Sequence, residues 1–117
     1  MAVPSATVLL EAVAAYLAEI EPGLTGRAAF HAKVAGNVLA VVARELDQQP
    51  ERAEAAAFAS LLGPGATAAD VCERLRDGRL TIATPGLLDA LLTATTARLA
   101  VDNPRYSTLG RLTGTTR

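Results

Sequence analysis

The sequence predicts an all-α protein: a single-domain bundle of four to five helices over residues 1–104, followed by a flexible, partly disordered C-terminal tail over 105–117. Three observations carry this reading. Alanine occupies 25 of 117 positions, and with leucine, arginine and glutamate it favours helix. Apolar residues recur at three- and four-residue steps within segments that proline and glycine separate. No stretch sustains the alternation of a half-buried strand, and no internal repeat is present.

The first helix spans about Ser5 to Ile20, opened by Pro4-Ser5 and stopped by Pro22-Gly23, with Leu9, Val13, Tyr16, Leu17 and Ile20 on one face. The second spans about Gly26 to Gln48, with Thr25 as its cap. Its stripe is Phe30, Val34, Val38, Val41, Val42 and Leu46, the strongest pattern in the chain. The third, about Glu51 to Leu62, is alanine-rich, anchored by Phe58, Leu61 and Leu62, and broken by Gly63-Pro64-Gly65. The fourth covers Thr67 to Asp77, capped by Thr67 and ended by Gly78, with Val71, Cys72 and Leu75 inward. Leu80 and Ile82 pin a short extended linker from Arg79 to Ala83. The fifth helix takes Thr84 as cap and Pro85 as first residue, presents Leu87, Leu88, Leu91, Leu92, Thr95 and Leu99, and stops at Asn103-Pro104.

Composition excludes several classes. A net charge of −1 gives no basic field for nucleic acid. The single cysteine, Cys72, rules out an intrachain disulfide and fits a reducing, cytoplasmic setting; it is expected to be a buried structural thiol. No apolar run approaches the ~20 residues of a membrane span, and the start of the chain lacks the basic residues of a signal peptide. One histidine and one distant cysteine offer no metal-ligand spacing, and no phosphate-binding glycine motif occurs. No catalytic residue, metal or cofactor is assigned.

Polar groups on apolar faces are the candidates for a site. Arg27, His31 and Glu45 fall along the stripe of the second helix; Thr95 and Asp102 fall along the leucine face of the fifth, with Arg98 at its edge. Arg98 and Asp102, one turn apart, suit a local ion pair. A buried carboxylate needs partners, and antiparallel packing of these two helices would bring Arg27, His31, Asp102 and Tyr106 together as a ligand-binding cluster. Ala32, Gly36 and Ala40 form a smooth ridge that suits close approach of another helix, within the chain or across a homodimer.

Two segments carry a resemblance. RAAFHAKVAGNVLAVVARELD (27–47) and LAVDNPRYS (99–107) resemble an uncharacterised family of small bacterial helical proteins, whose patterns read AFHxRVAxNxLxIVxREL and KLxVDxPRYS. LLEAVAAYL from Leu9 and RLRDG from Arg74 match its initial helix and its intervening turn. Arg98 stands in place of lysine, and Gly36 where alanine is common. The matching positions are Phe30, His31, Val34, Asn37, Arg44, Glu45, Leu46, Asp102, Pro104, Arg105 and Tyr106. Members of that family are often encoded beside, or fused to, aminoglycoside-phosphotransferase-like kinases, near acyl-CoA dehydrogenases. The resemblance thus implies a non-catalytic accessory or regulatory partner of such a kinase in acyl-CoA or hydroxyacid catabolism. A small-ligand-binding protein using Arg27, His31 and Asp102 is the alternative, and a small enzyme a third. A polar pocket at His31 favours the latter two; an exposed apolar patch favours the first.

Overall fold

The structure, a computed structural model, describes residues 3–112. It is all-helical: α1 (Ala6–Ile20), α2 (Gly26–Gln48), α3 (Pro50–Leu62), α4 (Ala68–Arg76), α5 (Leu87–Asp102) and the short α6 (Leu109–Leu112), with a 3₁₀ turn at Glu21–Gly23. The chain divides between Gln48 and Gln49 into two compact units. Of the expected tail, residues 105–112 form turns and α6, which packs on α5; 113–117 lie outside the described residues. Among the described residues, no helix is long and apolar enough to cross a membrane.

The first unit is a helical hairpin. Ser5 caps α1, its hydroxyl accepting from the amide of Val8 at 3.2 Å. The 3₁₀ turn, with Pro22 in it, reverses the chain, and α1 packs on α2. On α1 the half-buried positions are Thr7, Leu10, Ala14, Leu17 and Ile20; on α2 they include Ala29, Ala32, Leu39 and Ala43. These recur at helical spacing on one side of each helix, and the hairpin closes through them. No residue of α1 or α2 is fully buried, because two helices alone enclose no interior.

The expected inward faces are therefore only partly right. On α1, Leu17 and Ile20 are half-buried, whereas Leu9, Val13 and Tyr16 are exposed. On α2, the whole stripe except Val41 turns outward: Phe30 is 64% exposed and Val38 55%. The physical reason is that α2 has two apolar sides, one small and one large, and the alanine side meets α1. The ridge at Ala32, Gly36 and Ala40 does not act as a close-contact seam within the hairpin. Ala40 is exposed, and a Cβ at Gly36 would meet nothing within 4 Å.

The second unit holds a core. Ala57 and Phe58 of α3, Val71 of α4, Leu80 of the following loop, and Leu87 and Ala90 of α5 form one buried cluster, flanked by Leu61, Leu62, Ala66, Leu91 and Ala94. The expected anchors of α3 sit in or against it. Thr67 caps α4 in a full capping box: its hydroxyl accepts from the Asp70 amide at 3.2 Å, and the Asp70 carboxylate accepts from the Thr67 amide at 2.9 Å. Gly78 takes φ 83° after α4, the left-handed turn expected of it.

Three expectations fail here. Helix α5 begins at Leu87, not Pro85. Gly86, at φ 86°, occupies the cap position, while the Thr84 hydroxyl closes the preceding turn by accepting from the Thr81 amide at 2.9 Å. The buried side of α5 is Leu87, Ala90 and Val101, so Leu88 (58% exposed) and Thr95 face outward. In the linker, Leu80 is buried but Ile82 is 87% exposed.

Phe58 is the largest member of this core and 4% exposed. Phe58→Ala should cost about 3 kcal/mol or more, because it removes buried ring area and leaves a void that a six-residue core cannot refill. Urea unfolding of the variant, read by circular dichroism, measures the loss.

Candidate functional site

Each candidate residue has a definite place. Arg27 and His31 belong to the first unit, on the outward side of α2, and both are exposed. The His31 ring lies beside that of Phe30, centroids 5.9 Å apart and planes tilted by 52°. With Val34, Val38, Val42 and Leu46 this makes a continuous apolar stripe that ends in charge, Arg27 at the start of α2 and Glu45 near its close.

Asp102 and Tyr106 belong to the second unit. Asp102 is the last residue of α5, where free carbonyls gather. Its side chain is 52% exposed, so the expected buried carboxylate is not there. Its Oδ1 lies 3.9 Å from Arg98 Nη1, one turn earlier, which is the local pair that the spacing suggests. Arg98 also reaches to 4.0 Å from Glu51 and so ties the start of α3 to the end of α5. Tyr106 is 48% exposed and held only through its backbone in the turns that lead to α6: its amide donates to Asn103 and its carbonyl accepts from Leu109, each at 3.0 Å.

Beside Asp102 runs a hollow of about 350 Å³, lined by Phe58, Leu91, Ala94, Thr95, Arg98 and Leu99 among others. An open groove of about 510 Å³ lies along α3 and α5, lined mostly by alanine, with Asp89 and Pro85-Gly86 at its rim. Neither converges several polar groups on one point, as a site that orients a substrate does. Among the described residues no polar or charged side chain is buried, and no three His, Cys, Asp or Glu side chains group as metal ligands.

Cys72 also departs from expectation. It is exposed, although its neighbour Val71 is 2% exposed in the core. The nine-residue α4 turns only a narrow side inward, and Val71 fills it; Leu75, 40% exposed, lies at the edge.

The best-built polar constellation is one that the sequence reading passed over as a plain turn. In the RLRDG segment, Asp77 accepts from the Arg79 amide at 3.0 Å through Oδ1 and from Arg79 Nε at 2.8 Å through Oδ2, with Nη2 at 2.7 Å. These hydrogen bonds hold the Asp77 carboxyl below its ordinary range, and the same contact raises Arg79. The clamp is solvent-exposed, and its consequence is positional. It fixes the loop whose next residue, Leu80, enters the core, the Leu80 amide donating to the Arg74 carbonyl at 2.9 Å. An aspartate two residues before an arginine, across a glycine, was the available signal.

Residues 22–106 match the model of a domain of unknown function, DUF6285. The chain belongs to the DUF6285 family. The DUF6285 match holds all of α2 through α5, and with them every position of the two motifs from Phe30 to Tyr106. No curated protein and no solved structure matches the chain.

Two outcomes follow from these placements. The native Cys72 thiol should be labelled by a bulky maleimide at a rate close to that of the denatured chain; protection by orders of magnitude would place it inside. Asp102→Ala should cost under about 1 kcal/mol, as for a half-exposed ion pair, measured by the same denaturant melts.

Proposed function

We propose that the chain is a non-catalytic accessory protein that works through protein–protein contact, with the outward stripe of α2 as an interaction surface. One observation carries the reading: Phe30, Val34, Val38, Val42 and Leu46 line one side of a 23-residue helix and stand 64, 42, 55, 36 and 44% exposed. Scattered apolar side chains on a surface need no explanation, but an unbroken row of five at helical spacing marks an interaction surface. The row lies wholly inside the family match.

The resemblance supplies the partner: a phosphotransferase-like kinase, acting in acyl-CoA or hydroxyacid catabolism. The small-ligand reading built on Arg27, His31 and Asp102 has in its favour the hollow beside Asp102. The exposed row on α2 favours the docking role over it.

Co-expression of the full chain with a phosphotransferase-like kinase from its own host tests the proposal. The two should elute together, in a complex of fixed stoichiometry by native mass spectrometry. Separate elution of the wild-type pair overturns the kinase assignment.

A further inference from the structure

Two features of the α2 stripe bear on what covers it. The first is charge. The stripe is apolar along its middle and carries Arg27 at the N-terminal end and Glu45, half-buried, at the C-terminal end, both on the line of the apolar residues. The second is symmetry about the level of Gly36. Arg27 and Glu45 lie equally far from it along the helix, as do Phe30 and Val42, and Val34 and Val38. Leu46, the last of the row, mirrors Gly26 and lies beyond the charged end, so the charges and not the shapes set this level. A surface whose halves are complementary in charge is suited to its own two-fold copy.

We propose that a second copy of this chain covers the stripe, α2 against α2, antiparallel, about a two-fold axis at the level of Gly36. The inference rests on the reading of the stripe as a docking surface and names its occupant. In this register Arg27 faces the partner's Glu45, and Glu45 faces the partner's Arg27. Phe30 faces the partner's Val42, and Val34 faces the partner's Val38 across the axis. His31 falls between Val38 and Val42 around the helix and so lies within the contact. Two hairpins joined in this way form a four-helix bundle and give α2 the interior that a lone hairpin cannot. A parallel pairing sets Arg27 against Arg27 and Glu45 against Glu45, so the end charges select the antiparallel one, as flanking charges do in helix pairs. The contact uses the large-residue side of α2, not the ridge of Ala32, Gly36 and Ala40.

Sedimentation equilibrium of the purified full chain at micromolar concentration should give twice the 12.1 kDa chain mass. Val38→Asp, on an exposed position, should leave the helical circular dichroism unchanged and weaken the dimer at least about a hundredfold, since each copy presents the charge at the axis. Arg27→Glu and Glu45→Arg, each alone, should weaken it roughly tenfold by turning both end pairs repulsive. Mixing those two variants should restore wild-type affinity in the heterodimer, whose end pairs are again opposite. Residues 27 and 45 lie about 27 Å apart along one helix, so this rescue arises only between copies. A monomer, a dimer indifferent to Val38→Asp, or a mixture no tighter than the single variants overturns the proposal. A monomer that still elutes with the kinase removes the second copy and leaves the kinase; a dimer that elutes without the kinase removes the kinase and leaves the second copy.

Discussion

Helix contacts in this protein close through small residues. Ala57 and Ala90 lie in the same core where α3 packs on α5, and the side of α2 that meets α1 is mostly alanine. Alanine adds no rotamer entropy and lets helix axes approach closely, but each buried methyl contributes little transfer free energy. The consequence is a division of labour. Short side chains make the seams, and the few large ones must either fill the gap at one end of a seam or stay outside it. Phe58, Val71, Leu80 and Leu87 take the first role; Phe30, Val34, Val38, Leu88 and Leu92 take the second.

A core this small depends on its loops being held. The capping box at Thr67 and Asp70 sets where α4 begins, and the clamp of Asp77 on Arg79 sets how it ends. Between them α4 delivers Val71, and immediately after the clamp the loop delivers Leu80. Both devices lie at the surface and neither holds a ligand. They convert inexpensive local hydrogen bonds into the correct placement of two of the six residues of the core cluster. The same logic applies at Gly86. Its φ of 86° aims α5 so that Leu87 and Ala90 enter the core, and a Cβ there would stand 3.7 Å from Leu61, so the backbone conformation and not space demands glycine.

What could be read from the sequence divides along the same line. Features set by local chemistry were legible: the caps at Ser5 and Thr67, the break at Gly63-Pro64-Gly65, the turn at Gly78, the pair of Arg98 with Asp102. Which face of a helix packs was not. Ranking positions by hydrophobicity selects the stripe with the largest side chains; in α2 that stripe is not the one that meets a neighbour in its unit, and in α5 only part of it, with Leu87 and Leu91, reaches the core. An alanine seam is invisible to such a ranking in a chain with 25 alanines. Asp102 was misplaced by that error, since it was assigned its surroundings from the face it was thought to share; Cys72 was misplaced because Val71 alone fills the narrow inward side of α4. The Asp77–Arg79 clamp was missed for the opposite reason: a pair two residues apart across a glycine has no helical period to reveal it.

The polar residues of α2 take a different meaning once its large-residue side is outward. On an inward face, Arg27, His31 and Glu45 would be buried charges in need of partners, and so candidates for chemistry. On an outward apolar stripe, Arg27 and Glu45 lie near its two ends, where long side chains can reach water. Such residues add little to the strength of an apolar contact, but they penalise every register except the one that pairs them. An apolar row of valines has no preferred register of its own, because neighbouring turns are nearly equivalent. In the proposed pairing the end charges remove that ambiguity: the apolar residues hold the two copies together, and the charged ones set where.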